Sequence, residues 1–190
     1  MKYRAVLLAT YAVVAFATAP ASGQSLPLGG FDFSAWNDIA VKASRNETES
    51  VKSLLVAGNT PDTTDTNGQT PLGYAASFGN TEMTQILLRY DAPVDRRDQF
   101  GNAPLHWAAQ RGSVDVMQLL LDARAPVDAT NRQGVTPLMM AAEKGQVLAV
   151  RLLLKRGANP QKADYTGRDA VAWAGAKPNV LQVLRAAKQN

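Results

Sequence analysis

Asp98-Gln99-Phe100-Gly101-Asn102-Ala103-Pro104-Leu105-His106-Trp107-Ala108-Ala109 is the stretch that decides the fold, because it recurs along the chain at a fixed spacing. The segment 33 residues earlier, Asp65–Ala76, has Asp, Gly, Thr-Pro-Leu and Ala-Ala at the equivalent positions. The segment 33 residues later, Asn131–Ala142, has Asn, Gly, Thr-Pro-Leu and Ala-Ala there. Self-similarity at a period of about 20 to 50 residues indicates a protein built from stacked repeats.

The residue types within one repeat predict two helices joined by a tight turn. Proline suits the first position of a helix, where no amide hydrogen is needed, and the threonine before Pro71 and Pro137 can cap the helix. Gly112 and its equivalents permit the left-handed backbone of the turn between the helices. The second helix then places apolar residues at helical spacing, as in Val116, Leu119 and Leu120.

The pattern Gly-x-Thr-Pro-Leu-x-x-Ala-Ala-x-x-Gly, followed by a leucine-rich helix, resembles the ankyrin repeat. The resemblance extends from about residue 32 to the end of the chain. It implies an all-α ankyrin-repeat solenoid of about five stacked helix-turn-helix repeats with β-turn tips. We place the repeats near residues 32–64, 65–97, 98–130, 131–163 and 164–190, which together form one domain.

The first and last repeats are degenerate and are predicted to be caps, which must present a polar outer face. In repeat 1, Asn37-Asp38-Ile39 replaces Thr-Pro-Leu, and Lys42 replaces the first alanine. In repeat 5, Asp169 can cap the inner helix, and Pro178 falls on the glycine position between the helices, which allows a local slip of the frame.

Two departures within the regular repeats predict weak points. Ala103 stands where threonine would cap the inner helix, so the cap is missing in the central repeat. Asp91 and Arg124 stand where Gly58 and Gly157 end the second helix, so we expect both to adopt positive φ at some energetic cost.

Residues 1–23 have the layout of a secretory signal peptide: basic Lys2 and Arg4, an uncharged run over residues 5–19, and small residues after it. We favour cleavage before Gln24, with cleavage before Ser22 as the alternative, and residues 24–31 as a flexible lead-in. An uncleaved anchor helix is the other interpretation, but a run of about 15 residues is short for a span of about 20. The chain has no cysteine, so we expect neither disulfides nor a lipidated cysteine. The predicted location is the periplasm, or outside the cell, with no stable membrane anchor.

The sequence offers little for catalysis, and we expect no enzymatic activity, metal or cofactor. Its one histidine, His106, is by the resemblance a structural residue that hydrogen-bonds between adjacent repeats. Met83, Met117, Met139 and Met140 do not recur in one column, which favours packing over a copper site. Two acidic columns, Asp65, Asp98 and Asp164 and also Asp62, Asp95 and Asp128, are expected to hydrogen-bond their own turn amides rather than calcium. The formal charge of +4 includes Lys2 and Arg4, and this small bias does not indicate nucleic-acid binding.

The columns that vary between repeats are the candidates for binding. By the resemblance, the turn tips and the exposed side of the inner helices form a concave surface that binds another protein, and aromatic and arginine side chains commonly anchor such interfaces. The column Arg45, Phe78, Arg111 and Lys144, extended by Lys177 if the frame holds, has no acid. The column Val41, Tyr74, Trp107, Met140 and Trp173 is large throughout, which half-buried packing also explains. The predicted partner-binding residues are Phe78, Phe100, Asn102, Trp107, Gln110, Arg111, Arg132, Lys144, Tyr165 and Arg168.

The sequence therefore predicts a non-catalytic interaction module of the small exported bacterial type. We expect a monomer that acts as a periplasmic adaptor, inhibitor or stabiliser of a partner protein with an acidic and apolar surface. A secreted effector that binds a host protein is the alternative. An enzyme, a metal binder or a nucleic-acid binder is the third class, and the single histidine, the missing cysteines and the small charge argue against it.

Overall fold

The computed structural model describes residues 38–187, and within these residues it contains ten α-helices and no strand. The predicted signal peptide and lead-in lie outside the described residues. The helices are α1 (Ile39–Ser44), α2 (Thr48–Val56), α3 (Pro71–Phe78), α4 (Thr81–Arg89), α5 (Pro104–Arg111), α6 (Val114–Asp122), α7 (Pro137–Lys144), α8 (Val147–Lys155), α9 (Ala170–Ala174) and α10 (Pro178–Ala187). The predicted all-α solenoid is confirmed.

The three central inner helices α3, α5 and α7 share one local design. Each begins at a proline, and the Thr70 and Thr136 hydroxyls cap α3 and α7 by accepting amides at 3.0 and 3.3 Å. Each ends at a left-handed glycine, for example Gly112 at φ 82°. Because these residues fix both ends locally, the sequence pattern places these three helices at the observed residues.

The core follows the stack as one continuous apolar layer between inner and outer helices. Paired alanines such as Ala108 and Ala109 are fully buried, and Leu105 and Leu120 fill the space between the layers. The inner helices α1, α3, α5, α7 and α9 contact one another more extensively than do the outer helices. Close approach on one side curves the stack, so that the inner helices line its concave side.

The turns between repeats form a hydrogen-bonded row along one edge of this concave side. Each turn closes with an amide-to-carbonyl bond of 2.9 to 3.1 Å, in which Gly68, Gly101, Gly134 and Gly167 donate to Asp65, Asp98, Asn131 and Asp164. Neighbouring turns are linked as well, since the Arg132 amide donates to the Phe100 carbonyl at 3.1 Å and the Tyr165 amide to the Gln133 carbonyl at 3.1 Å. Backbone hydrogen bonds thus connect neighbouring turns into a row.

The two terminal repeats depart from the central pattern. In repeat 1 the cap is Asp38, which accepts the Ala40 amide at 2.8 Å, so α1 begins one position later than its counterparts. In repeat 5, Asp169 caps α9 as predicted, by accepting the Ala172 amide at 2.9 Å. Helix α9 ends at Ala174, three positions early, because the chain turns at Gly175 and Pro178 starts α10. Lys177 therefore lies beyond the end of α9 and does not extend the column of Arg45, Phe78, Arg111 and Lys144.

The backbone geometry and the missing cap predicted at these two departures are confirmed, and their energetic cost stays a prediction. Asp91 and Arg124 have φ of 59° and 65°, in the left-handed region. Ala103 caps α5 with no side-chain hydrogen bond.

The prediction for the second acidic column is wrong for Asp62 and Asp128. Asp128 accepts the amide of Asn159 in the next repeat at 3.1 Å, and Asp62 pairs with Arg96 at 3.3 Å. These carboxylates tie one repeat to the next, because whole-repeat spacing places each beside the following turn.

Candidate interaction surface

His106 is fully buried and joins repeats 3 and 4, as the resemblance implied. Its Nδ1 accepts the Ala103 amide at 3.1 Å, and its Nε2 lies 3.1 Å from the Val135 carbonyl. Since a carbonyl only accepts, the proton of the neutral ring belongs on Nε2. Burial lowers the pKa of His106 to about 4, because a charged imidazolium loses its hydration there.

The first acidic column holds both the turns and the large inner-helix column. One oxygen of Asp98 accepts the amides of Phe100 and Asn102 at 2.8 and 2.9 Å, and the other accepts the Trp107 indole N–H at 3.1 Å. The prediction that these acids bind their own turn amides is confirmed for Asp65, Asp98 and Asp164. The same carboxylates also fix the orientation of the rings above them, which the sequence did not reveal.

This tie between ring and carboxylate recurs wherever the ring has a donor. The Tyr74 hydroxyl donates to Asp65 at 2.5 Å and the Trp173 indole to Asp164 at 3.0 Å. In repeat 4 the ring position holds Met140, which has no donor, and the acid is replaced by Asn131. The Asn131 amide group donates instead to the Asn102 side chain of the preceding turn at 2.9 Å.

These hydrogen bonds set the protonation of the groups involved. Burial opposes ionisation of Asp164, but hydrogen bonds from Thr166, Arg168 and Trp173 outweigh it and hold the Asp164 pKa well below its usual range. Burial and the neighbouring Asp65 carboxylate raise the pKa of Tyr74 to about 12. Asp65 and Asp164 are therefore ionised at neutral pH and engaged by donors from their own repeat.

Most predicted partner-binding residues lie on the concave side, with differing accessibility. Phe100 and Tyr165 project from the turns at 58% and 76% exposure, and Phe78 is 37% exposed at the end of α3. Trp107 and Gln110 are half-buried, whereas Arg111, Arg132 and Lys144 are exposed.

Two of the predicted residues are engaged within the protein. Asn102 is only 6% exposed and accepts the Asn131 side chain, so it offers almost no surface. Arg168 pairs with Asp164 at 3.0 Å and lies over the Trp173 ring at 4.5 Å. The sequence alone did not indicate these two internal contacts.

Three depressions meet at Trp107, and we name each for one residue on its rim. The Tyr74 pocket measures about 260 Å³ and the Arg132 pocket about 520 Å³; they share Gln99, Phe100 and Trp107. The Arg111 pocket measures about 460 Å³ and is lined by Ser77, Trp107, Gln110, Arg111 and Lys144. The Trp107 ring is thus the centre of the surface. Tyr74, Ser77 and Met140, which were not among the predicted binding residues, also line it.

The basic side chains around these pockets differ in how far they are neutralised. Lys144 pairs with Glu143 at 3.5 Å. Within residues 38–187, Arg111 and Arg132 have no carboxylate at ion-pair distance, and Arg111 reaches only the Ser77 carbonyl, at 3.4 Å. The two arginines are therefore the uncompensated charges of the surface.

Comparison with known families agrees with the repeat geometry. A family model described as ankyrin repeats (3 copies) matches residues 39–131, and one described as ankyrin repeat matches residues 133–165. The chain belongs to the ankyrin-repeat family, whose members are in general protein–protein interaction modules rather than catalysts. A search of curated proteins finds no match to this chain.

Two further properties concern the described part of the chain. No helix between residues 38 and 187 combines the length and the apolar character needed to cross a bilayer. Over the same range, no group of three or more His, Cys, Asp or Glu side chains is arranged to hold a metal ion.

Proposed function

We propose that this chain is an exported, monomeric adaptor, inhibitor or stabiliser that binds a partner protein on its concave side. The observation that carries the proposal is the surface around Trp107, where exposed Phe100 and Arg132 line one pocket and Arg111 lines another. Exposed Phe78 stacks on Tyr74, which lines the third pocket. Aromatic and arginine side chains are enriched at the cores of protein interfaces, and Trp, Tyr and Arg are frequent among the few residues that dominate binding energy. The surface is also formed in advance, because Asp98 holds the indole of Trp107 and the turns are hydrogen-bonded to one another.

The proposed location in the periplasm depends on residues 1–23, whose basic start, apolar run and small residues are those of a signal peptide. Fractionation of the native cell, with mass measurement of the mature protein, tests it. A mature N-terminus at Gln24 in the periplasmic fraction is the expected result. Full-length protein in the cytosol contradicts export, and protein found mainly in the medium favours a secreted effector.

Capture of partners from a periplasmic extract tests the binding face. We expect the wild-type chain to retain a partner that the double variant Phe78→Ala/Arg111→Glu loses. The matched control is Val56→Ala/Lys52→Glu, which removes an exposed apolar side chain and reverses one charge on the outer helix α2. Equal capture by wild type and by the Phe78/Arg111 variant refutes binding through this face.

A further inference from the structure

We propose that the concave surface recognises an extended acidic segment of its partner, in which one bulky apolar residue stands between two carboxylates. This inference rests on the proposed function and specifies the chemistry of the ligand. It follows from how charge and apolar surface are distributed over the three pockets that meet at Trp107.

The apolar position is defined by Phe100 and Trp107. Phe100 is 58% exposed on a turn whose backbone is bonded on both sides, so its ring is held in solvent by a rigid base. Trp107 lies beside it with the indole N–H fixed on Asp98 at 3.1 Å. An apolar side chain that enters the Tyr74 pocket contacts both rings. Little side-chain entropy is lost, because the Trp107 ring is already ordered.

The charged positions lie on either side of this centre. Arg132 borders one pocket from the row of turns, and Arg111 borders another from the end of α5. Neither guanidinium pairs with a carboxylate among the described residues, so both are free to bind carboxylates of a partner. The oxygens of Asp98 accept hydrogen bonds from Phe100, Asn102 and Trp107, and this carboxylate forms no ion pair with either arginine.

The arrangement also sets the spacing of the ligand. Trp107 and Arg111 are four residues apart on one helix, so they lie about 6 Å apart along its axis. An extended peptide advances about 3.3 Å per residue, so the carboxylate that pairs with Arg111 falls about two residues from the apolar side chain, and we place the carboxylate that pairs with Arg132 at the same spacing on the other side. The direction is across the groove, from the turn row at Arg132 to the helix end at Arg111.

Three short peptides with blocked termini test this chemistry. The first is Gly-Asp-Ala-Phe-Ala-Asp-Gly, the second has lysine in place of both aspartates, and the third has alanine in place of phenylalanine. Binding is followed by NMR as the shift of the Trp107 indole N–H signal, assigned with Trp107→Phe. We expect the first peptide to bind most tightly. Its affinity should fall as salt is added, because salt screens the attraction between exposed charges.

Single variants locate the contacts. Arg132→Glu should lower the affinity for the first peptide by about tenfold, because an attraction between exposed charges becomes a repulsion. Phe100→Ala should weaken it by about fivefold through lost apolar contact. Lys52→Glu, with the same charge change on α2, should leave the affinity unaltered. Thermal melts of all variants confirm that the fold is intact.

Two results overturn the proposal: the lysine peptide binding as tightly as the aspartate peptide, or no peptide shifting the indole signal at millimolar concentration. If the peptides fail while the wild-type chain still captures a partner, the proposed function stands and only this recognition chemistry is wrong. If the aspartate peptide binds as expected but no partner is captured from the periplasm, the adaptor function is wrong and the surface chemistry stands.

Discussion

Replacing Ala103 with threonine should stabilise the protein, and the neighbouring repeats show by how much. Ala103 has φ −83° and ψ 165°, close to the φ −88° and ψ 160° of Thr70, and both residues are 3% exposed. The backbone is therefore already in the conformation that a capping threonine adopts. At Thr70 the hydroxyl accepts the Gly73 amide at 3.0 Å, and at position 103 the equivalent amide is that of His106.

The magnitude follows from what the new bond adds. A capping hydroxyl contributes about 0.5 to 2 kcal/mol. The His106 amide already donates to the Ala103 carbonyl at 2.9 Å, so the gain belongs in the lower part of that range, about 0.5 to 1 kcal/mol. For the 150 residues from 38 to 187, the entropy of unfolding is about 0.3 kcal/mol/K, which converts the gain to a rise in Tm of about 2 to 3 °C.

Thermal unfolding followed by circular dichroism measures the effect, and Ala103→Val is the matched control. Valine has the shape of threonine without the hydroxyl, so the difference between the two variants isolates the cap from the added volume at a buried site. We expect the threonine variant to melt above wild type and the valine variant to melt below the threonine variant. A threonine variant that melts at or below the valine variant refutes the capping argument.

Three further predictions concern His106, the ring ties and the strained helix ends. Since His106 titrates near pH 4 when folded and near 6.5 when unfolded, the unfolded state takes up the proton first, and about 3 kcal/mol of stability should be lost as pH falls from above 6.5 to 4. Urea unfolding at several pH values measures this loss of stability. His106→Met, which copies Met139 at the equivalent position of repeat 4, should remove the loss. An unchanged pH dependence of stability in that variant contradicts the assignment of the loss to His106. Asp98→Asn should lower the free energy of unfolding by about 1 to 3 kcal/mol, because the NH2 group of asparagine then faces the Trp107 indole N–H, donor against donor. In a Trp107→Met background the same substitution should cost much less. Equal costs in the two backgrounds of this double-mutant cycle would contradict a hydrogen bond between Asp98 and Trp107. Arg124→Gly should raise the free energy of unfolding by up to about 1 kcal/mol, because glycine adopts positive φ without strain. Arg124→Ala keeps the strain and should give no such gain. Equal denaturant melts for the two variants would show that the backbone conformation of Arg124 does not lower the stability.

The elements that the sequence predicted correctly are those that depend on local chemistry. Pro104 and Gly112 fix the ends of α5 by their own backbone preferences, and the 33-residue period carries the same ends to α3 and α7. The positive φ of Arg124 was predictable for the same reason, because the equivalent position in repeat 4 holds Gly157. In a repeat protein, equivalent positions of neighbouring repeats can be compared directly, so a residue that departs from the pattern indicates a local change in structure.

The features that the sequence did not reveal depend on contacts between residues that the fold brings together. Asp98 and Trp107 are nine residues apart and meet only because the turn folds back over the first helical turn of α5. Asn102 is buried partly by its bond to Asn131 in the next repeat, a contact that its position in the sequence does not indicate. The early end of α9 likewise depends on Gly175 and Pro178 acting together, whereas the period alone placed the helix end three residues later.

The hydrogen bonds between turn carboxylates and inner-helix rings also explain why the overall charge does not indicate a basic binding surface. The formal charge is small, and acids recur at the start of three turns, which suggests a balanced surface. In the structure these three acids accept hydrogen bonds from amide and ring donors of their own repeats, and Asp164 also pairs with Arg168. Arg111 and Arg132, by contrast, have no carboxylate partner among the described residues. The carboxylates that stabilise the turns therefore leave the concave face with basic groups free to bind. The central repeat combines the free Arg111 with exposed Phe100 and half-buried Trp107, and Arg132 follows in the next turn, which is why the proposed recognition centres on Trp107.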